Sequence, residues 1–127
     1  MEKNKYNVGM DGQKAAEKFL QTKSYQILTK NYRIKTGEID LIAKNVQTEN
    51  TIIFIEVKYR RGLSHGLPRE SVNIVKQRKI IKTALHYIAA KNLVDYDFRF
   101  DVIEILEQNG TWYANHIENA FDASISF

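Results

Sequence analysis

The sequence predicts a mixed β-sheet with helices packed on it, an α/β or α+β sandwich formed by one domain over residues 1–127. Two observations carry this. Two segments repeat apolar residues at helical spacing, and five others mix β-branched and aromatic residues with strand alternation. Their order is α-β-β-β-α-β-β. A chain of 127 residues, 43% hydrophobic and 27% charged, is within the size and composition of one globular domain.

Residues 9 to 23 form the first expected helix, with Gly12, Ala15, Ala16, Phe19 and Leu20 on one face. "SYQILTKNYRI" (24–34) has strand composition. "GEIDLIAKN" (37–45) and "TIIFIEVKY" (51–59) are stronger strands, and the polar "VQTEN" between them suits a hairpin loop. The two glycines and single proline of "RRGLSHGLPRE" (60–70) mark a loop. Asn73 is placed to cap a helix from Ile74 to about Lys91, whose apolar stripe is read as Ile74, Ile81, Ala84, Leu85 and Ile88. Strands over 97–106 and 111–118 follow, joined by a turn at Asn109-Gly110.

Composition narrows the chemistry. Cysteine is absent, which excludes disulfides and thiolate metal sites, so a metal would need oxygen ligands or the three histidines. The N-terminal residues lack an apolar signal core and no apolar run approaches 18 residues; the expectation is a soluble cytoplasmic protein without a membrane partner. Net charge +4 favours polyanions only weakly, but the cations cluster: Lys58, Arg60 and Arg61, then Arg69, Lys76, Arg78, Lys79 and Lys82.

The two best strands align. Opposed residues in an antiparallel pair have a constant sum of numbers and share a face. A sum of 96 sets Ile42 against Phe54, Asp40 against Glu56, and Glu38 against Lys58; the other face, Leu41 with Ile55 and Ile39 with Val57, is wholly apolar. Strand spacing of about 4.8 Å then holds two carboxylates close together, and either one is protonated or a cation lies between them. Lys58 supplies part of that charge; with oxygen-only ligands, Mg2+ or Mn2+ would supply more. Taken alone, Glu56-Val57-Lys58 is an ordinary strand-end ion pair, and Asp40 in register is what lifts it above that. Gln77 falls within the second helix's apolar stripe near its N-terminus, placed to hydrogen-bond backbone or to orient a water or phosphate oxygen.

The pattern Asp40…Glu56-Val57-Lys58, on a hairpin between two helices, resembles the restriction-endonuclease-like nucleases. More closely, "NYRIKTGEIDLIA", "FIEVKYR", Gly66…Lys76-Gln77, "RFDV" and "HIENAF" resemble the YraN-like family of bacterial proteins, grouped near archaeal Holliday-junction resolvases. The likeness runs from about Gly9 to Phe121. It implies a three-layer core, a mixed sheet flanked by helices, around a divalent metal. Asp40 and Glu56 would be metal ligands with the Val57 carbonyl nearby. Lys58 would position or activate the attacking water, and Gln77 would stand behind them. Arg60, Arg61, Arg69, Lys76 and Arg78 would hold nucleic acid, with DNA favoured and a homodimer fitting a junction-type enzyme. The family's first helix usually reads Gly-x-x-Gly-Glu, whereas this chain has "GMDGQ", with Gln13 where a metal-proximal glutamate is expected. A neutral amide binds magnesium more weakly and cannot act as a base. Glu17, one turn on, could substitute, though it sits further from the apolar face.

The leading expectation is therefore a metal-dependent nuclease acting on DNA, branched or damaged DNA included. The alternative is a nucleic-acid-binding module of the same fold with weak or absent catalysis. A third reading is an assembly protein whose charged cluster only stabilises the sheet. Arg99 and Asp101 are expected to pair within the sheet, Trp112 to pack, His86 and His116 to belong to helix surface and strand, and His65 to be a plain loop histidine.

Overall fold

In the computed structural model, which describes residues 8–47, 50–61 and 72–123, the expected element order holds. Helix α1 (Val8–Thr22) precedes strands β1 (Tyr25–Ile34), β2 (Gly37–Asn45) and β3 (Thr51–Arg61); helix α2 (Ile74–Lys91) precedes β4 (Asp97–Gln108) and β5 (Thr111–Phe121). The sheet order is β1-β2-β3-β4-β5. All neighbours are antiparallel except β3 and β4, which are parallel and joined through α2.

Strand β3 is central and buried on both faces, which is why its start is continuously apolar. Ile52 and Phe54 pack with Ile80, Ile81, Ala84 and Tyr87 of α2, whereas Ile53 and Ile55 pack with Ala16 and Leu20 of α1. The result is three layers, α1, sheet and α2, in an α+β architecture. Each fully buried aliphatic side chain contributes about 1.5–3 kcal/mol relative to exposure.

Local signals set the element ends. The Asn73 side chain accepts the Lys76 N–H at 2.9 Å, an N-cap. Asn92, with φ 55°, closes α2 in the left-handed conformation. Asn109 (φ 54°) and Gly110 (φ 78°) make the two-residue hairpin turn between β4 and β5. Strand β5 runs on to Phe121, past the expected end at residue 118. A bulge with Asn119 at φ 54° absorbs the extra residues, and Phe121 stacks on Phe100 at 5.2 Å.

Two expectations are corrected. Ile74 and Leu85 are 43% and 50% exposed, so the buried stripe of α2 is rotated from the one expected. Thr83 and Tyr87, both buried, pull its centre toward Ile80, which leaves Ile74 and Leu85 on the rim. Ile39 packs in the α2-side core with Ile42, not with Leu41, Ile55 and Val57. Strand alternation therefore breaks once between residues 39 and 42, the place where Asp40 lies.

Candidate active site

The β2–β3 ladder follows the expected sum of 96 from Lys44↔Ile52 to Leu41↔Ile55, and there the pairing stops. One residue further, the Asp40 side chain enters the gap: its Oδ2 accepts the Val57 N–H at 2.8 Å, replacing a backbone acceptor. The parting strands open a cavity of about 190 Å³ lined by Gly37, Glu38, Asp40, Glu56, Lys76, Lys79 and Ile80. Asp40 and Glu56 thus line the same cavity, although the ladder itself ends one residue before them.

Glu56 is buried and carries two ammonium groups on one oxygen. Lys58 Nζ lies 3.2 Å and Lys76 Nζ 2.6 Å from Glu56 Oε2. The sequence reading assigned Lys76 to nucleic acid and missed this contact, although a signal existed. Lys76, Ile80, Thr83 and Tyr87 stand at i, i+4, i+7 and i+11, one stripe of α2 that faces the sheet. Gly37 allows the close approach: a Cβ there would sit 2.3 Å from Thr83 Oγ1 and 3.2 Å from the Lys79 carbonyl oxygen.

The cluster is electrostatically uneven. Burial, then the nearby Glu56 carboxylate, pushes the Asp40 carboxyl up to about 6, against the opposing pull of the Val57 N–H. Burial, then the neighbouring Lys76, lowers the Lys58 ammonium below its ordinary value. Burial also acts on Lys76, but its hydrogen bond to Glu56 and its other partners outweigh that and raise it.

Other residues fall elsewhere. Glu38 does not meet Lys58: it accepts from Arg33 Nη2 at 3.2 Å and Asn31 Nδ2 at 3.3 Å, because β1 lies alongside while β3 has diverged. Gln13 exchanges two amide hydrogen bonds with Asn31, at 2.9 and 3.3 Å, and so reaches the site only through Glu38. Glu17 pairs with Lys30 at 3.0 Å, away from the cavity. Gln77 faces inward as expected, but its Nε2 donates to the Val72 carbonyl at 2.9 Å; its buried Oε1 has no hydrogen-bond partner. No contact joins Gln77 to Asp40 or Glu56 among the described residues. Arg60 is paired with the buried Glu104 of β4. Arg78 is exposed on α2. Arg61 ends β3 with its side chain outside the described residues, where Arg69 and His65 also lie.

Away from this site, Arg99 and Asp101 pair as expected, with Nη2–Oδ2 at 2.8 Å. His116 joins them, its Nε2 lying 2.7 Å from Asp101 Oδ2 between the rings of Phe19 and Tyr25. Trp112 packs on Tyr59, with ring centroids 5.3 Å apart.

Fold and site together define a three-layer α+β protein with a carboxylate–lysine cluster at the point where two central strands part. The chain belongs to the family described as "Uncharacterised protein family UPF0102", whose model matches residues 12–105. It is 49% identical over 112 residues to a UPF0102 protein of Clostridium acetobutylicum, covering 87% of this chain and 89% of that protein. It is 47% identical over 121 residues to one of Caldanaerobacter subterraneus subsp. tengcongensis, covering 93% and 97%. Similarity to one of Clostridioides difficile is 48% over 120 residues, covering 93% and 99%. The resemblance to the YraN-like family is therefore membership of it. Among the described residues, no helix is long and apolar enough to cross a membrane.

Proposed function

We propose that this protein is a metal-dependent nuclease that hydrolyses phosphodiester bonds in DNA, branched or damaged DNA among its substrates. The observation that carries the reading is the convergence of Asp40, Glu56 and Lys76 on one small cavity where β2 and β3 separate, with Lys58 paired to Glu56. The donors suit a hard cation. Asp40 and Glu56 offer only oxygen, and Asp40 has no ammonium partner among the described residues. No three acidic or histidine side chains converge there among the described residues. Mg2+ or Mn2+ would thus be held by two carboxylates, the rest of its shell being water and phosphate oxygen, the mode magnesium commonly uses. The Val57 carbonyl joins this set by the family resemblance. Bound there, the cation would supply Lewis-acid polarisation of the phosphodiester and acidify a water.

The chain's own groups would do the rest. Lys58, half-buried beside Glu56, steadies the charge that builds on the phosphoryl oxygens and orients the attacking water. Lys76 enters from α2 on the same side and offers a second cation to the phosphate. Gln77 supports this end of α2 through its bond to the Val72 carbonyl.

The test is cleavage of labelled branched, single-stranded and duplex DNA with magnesium, manganese or chelator. Asp40→Asn and Lys58→Ala should each lower the metal-dependent rate by at least about a hundredfold while remaining folded by circular dichroism. Equal cleavage by wild type and Asp40→Asn would end the reading.

A second reading, a binding module of the same fold with weak or absent catalysis, is favoured by one observation. Gln13 is committed to Asn31, so α1 brings no carboxylate to the cavity. Salt-sensitive DNA binding without metal-dependent cleavage would select it.

A further inference from the structure

Helix α2 has a second stripe, distinct from the one that faces the sheet. Val75, Arg78, Lys79 and Lys82 stand at i, i+3, i+4 and i+7. With Thr36 of the β1–β2 turn they line a groove of about 490 Å³. Lys79 also lines the carboxylate cavity, so the groove and the candidate active site adjoin through one side chain.

Charge pairing separates this groove from the other basic residues near the site. Lys58 and Lys76 are paired with Glu56, Arg60 with Glu104, and Arg33 with Glu38. Arg78, Lys79 and Lys82 make no ion pair or hydrogen bond through their side chains among the described residues. Three cations without a described partner on one helical flank repel each other, and no acidic residue lines the groove among the described residues. Val75, 57% exposed, adds an apolar surface between them. The stripe extends about 10 Å along the helix axis.

We infer that the groove formed by Thr36, Val75, Arg78, Lys79 and Lys82 is the track for the sugar–phosphate backbone of the strand whose scissile phosphate lies at Asp40 and Glu56. The inference rests on the nuclease reading for its polarity toward that cavity. It extends the expected surface at the start of α2, which included Arg78, along the outer flank of that helix to Lys79 and Lys82. Arg60 and Lys76, also expected to hold nucleic acid, carry Glu104 and Glu56 as ion-pair partners. Phosphates contact Arg78, Lys79 and Lys82, the Thr36 hydroxyl is a further donor, and Val75 lies under the sugars.

Fluorescence anisotropy of labelled single-stranded and duplex DNA, in chelator so that no strand is cut, tests the surface directly. Arg78→Gln/Lys82→Gln is compared with Lys14→Gln/Lys18→Gln, which removes the same charge from the exposed face of α1. The groove pair should weaken binding about tenfold or more at 0.1 M salt. It should also reduce the slope of log affinity against log salt by about 1.4 on single strands or 1.8 on duplex. The α1 pair should move both much less. Equal losses from the two pairs, or none from the groove pair, would overturn the inference, even if Asp40-dependent cleavage shows the nuclease reading to stand. Groove-dependent binding without any cleavage would keep the track and remove the nuclease reading. No DNA binding by the wild-type protein would remove the track, with the cleavage assay deciding the other separately.

Discussion

Asp40 shows what the site demands of a single residue. Its carboxyl has a pKa near 6 in the fold, against an ordinary 3.8, because it is buried beside Glu56. Ionising it is therefore harder in the folded than in the unfolded chain. Its contribution to stability is complete below about pH 3.8 and is lost as pH rises through about 6, a loss of up to about 3 kcal/mol. Asparagine keeps an acceptor for the Val57 N–H and carries no charge. Asp40→Asn should therefore be more stable than wild type at pH 7.5, by up to about 3 kcal/mol, and nearly equal to it at pH 4. Urea unfolding at the two pH values measures this; a difference that does not change with pH would contradict it. The closeness of Asp40 to Glu56 was legible because they lie one step beyond the last pair of an antiparallel register, which is arithmetic. Lys76 on Glu56 was not, because it joins residues twenty positions apart through a helix whose rotation had been placed on the wrong stripe.

At the scale of elements, the site depends on how close α2 lies to the start of β2. Gly37 and Thr83 are the point of contact, and a Cβ on residue 37 would stand 2.3 Å from the Thr83 hydroxyl oxygen. Gly37→Ala should cost about 1–3 kcal/mol by overpacking and shift α2 away from the carboxylates. Thr83→Ala removes the obstructing oxygen, which in the wild type donates to the Lys79 carbonyl at 2.8 Å. The double variant should recover most of the loss, giving a favourable coupling of about 1 kcal/mol or more in a thermal-unfolding cycle; strict additivity would show that the contact is not the cause. Element types and order were readable from periodicity and turn residues. The rotation of α2 was not, because Thr83 and Tyr87 are amphipathic and only packing shows that they face inward. Strand β5 outran its expected end for a similar reason: its last turns are held by a bulge and by Phe100, both tertiary.

Across the whole molecule, a buried polar network on the α1 face ties the sheet's two edges together. Arg99 of β4 donates to the Tyr25 hydroxyl of β1 and to Asp101, while His116 and the Asn119 N–H of β5 meet the same carboxylate. Burial raises the Asp101 pKa, but the donors of His116, Arg99 and Asn119 together hold it below the usual range. This is the opposite sign to Asp40. The stability Asp101 contributes is present above about pH 3.8 and is lost as pH falls below it. Asp101→Asn should cost about 2–4 kcal/mol at neutral pH, since it leaves a partly buried guanidinium without its carboxylate. The penalty should shrink in acid. Guanidinium unfolding as a function of pH reads this, and a penalty constant down to pH 2.5 would refute it. Of the network, the Arg99–Asp101 pair was visible as two residues on one strand face. His116 was not, because its place opposite them follows from the β4–β5 pairing.

The sequence alone sets the α-β-β-β-α-β-β order, the Asn73 cap, the Asn109-Gly110 turn and the β2–β3 register from Leu41↔Ile55 to Lys44↔Ile52. All of these arise from local propensity or from the period of neighbouring strands. Tertiary structure alone decided that the strands part at Asp40, that Lys76 closes on Glu56, and that Gln13 is held by Asn31. It also left Arg78, Lys79 and Lys82 without an ion-pair partner among the described residues, while pairing Lys76 with Glu56. These outcomes depend on helix rotation and on which charges are buried together, and both are set by packing between elements distant in the chain.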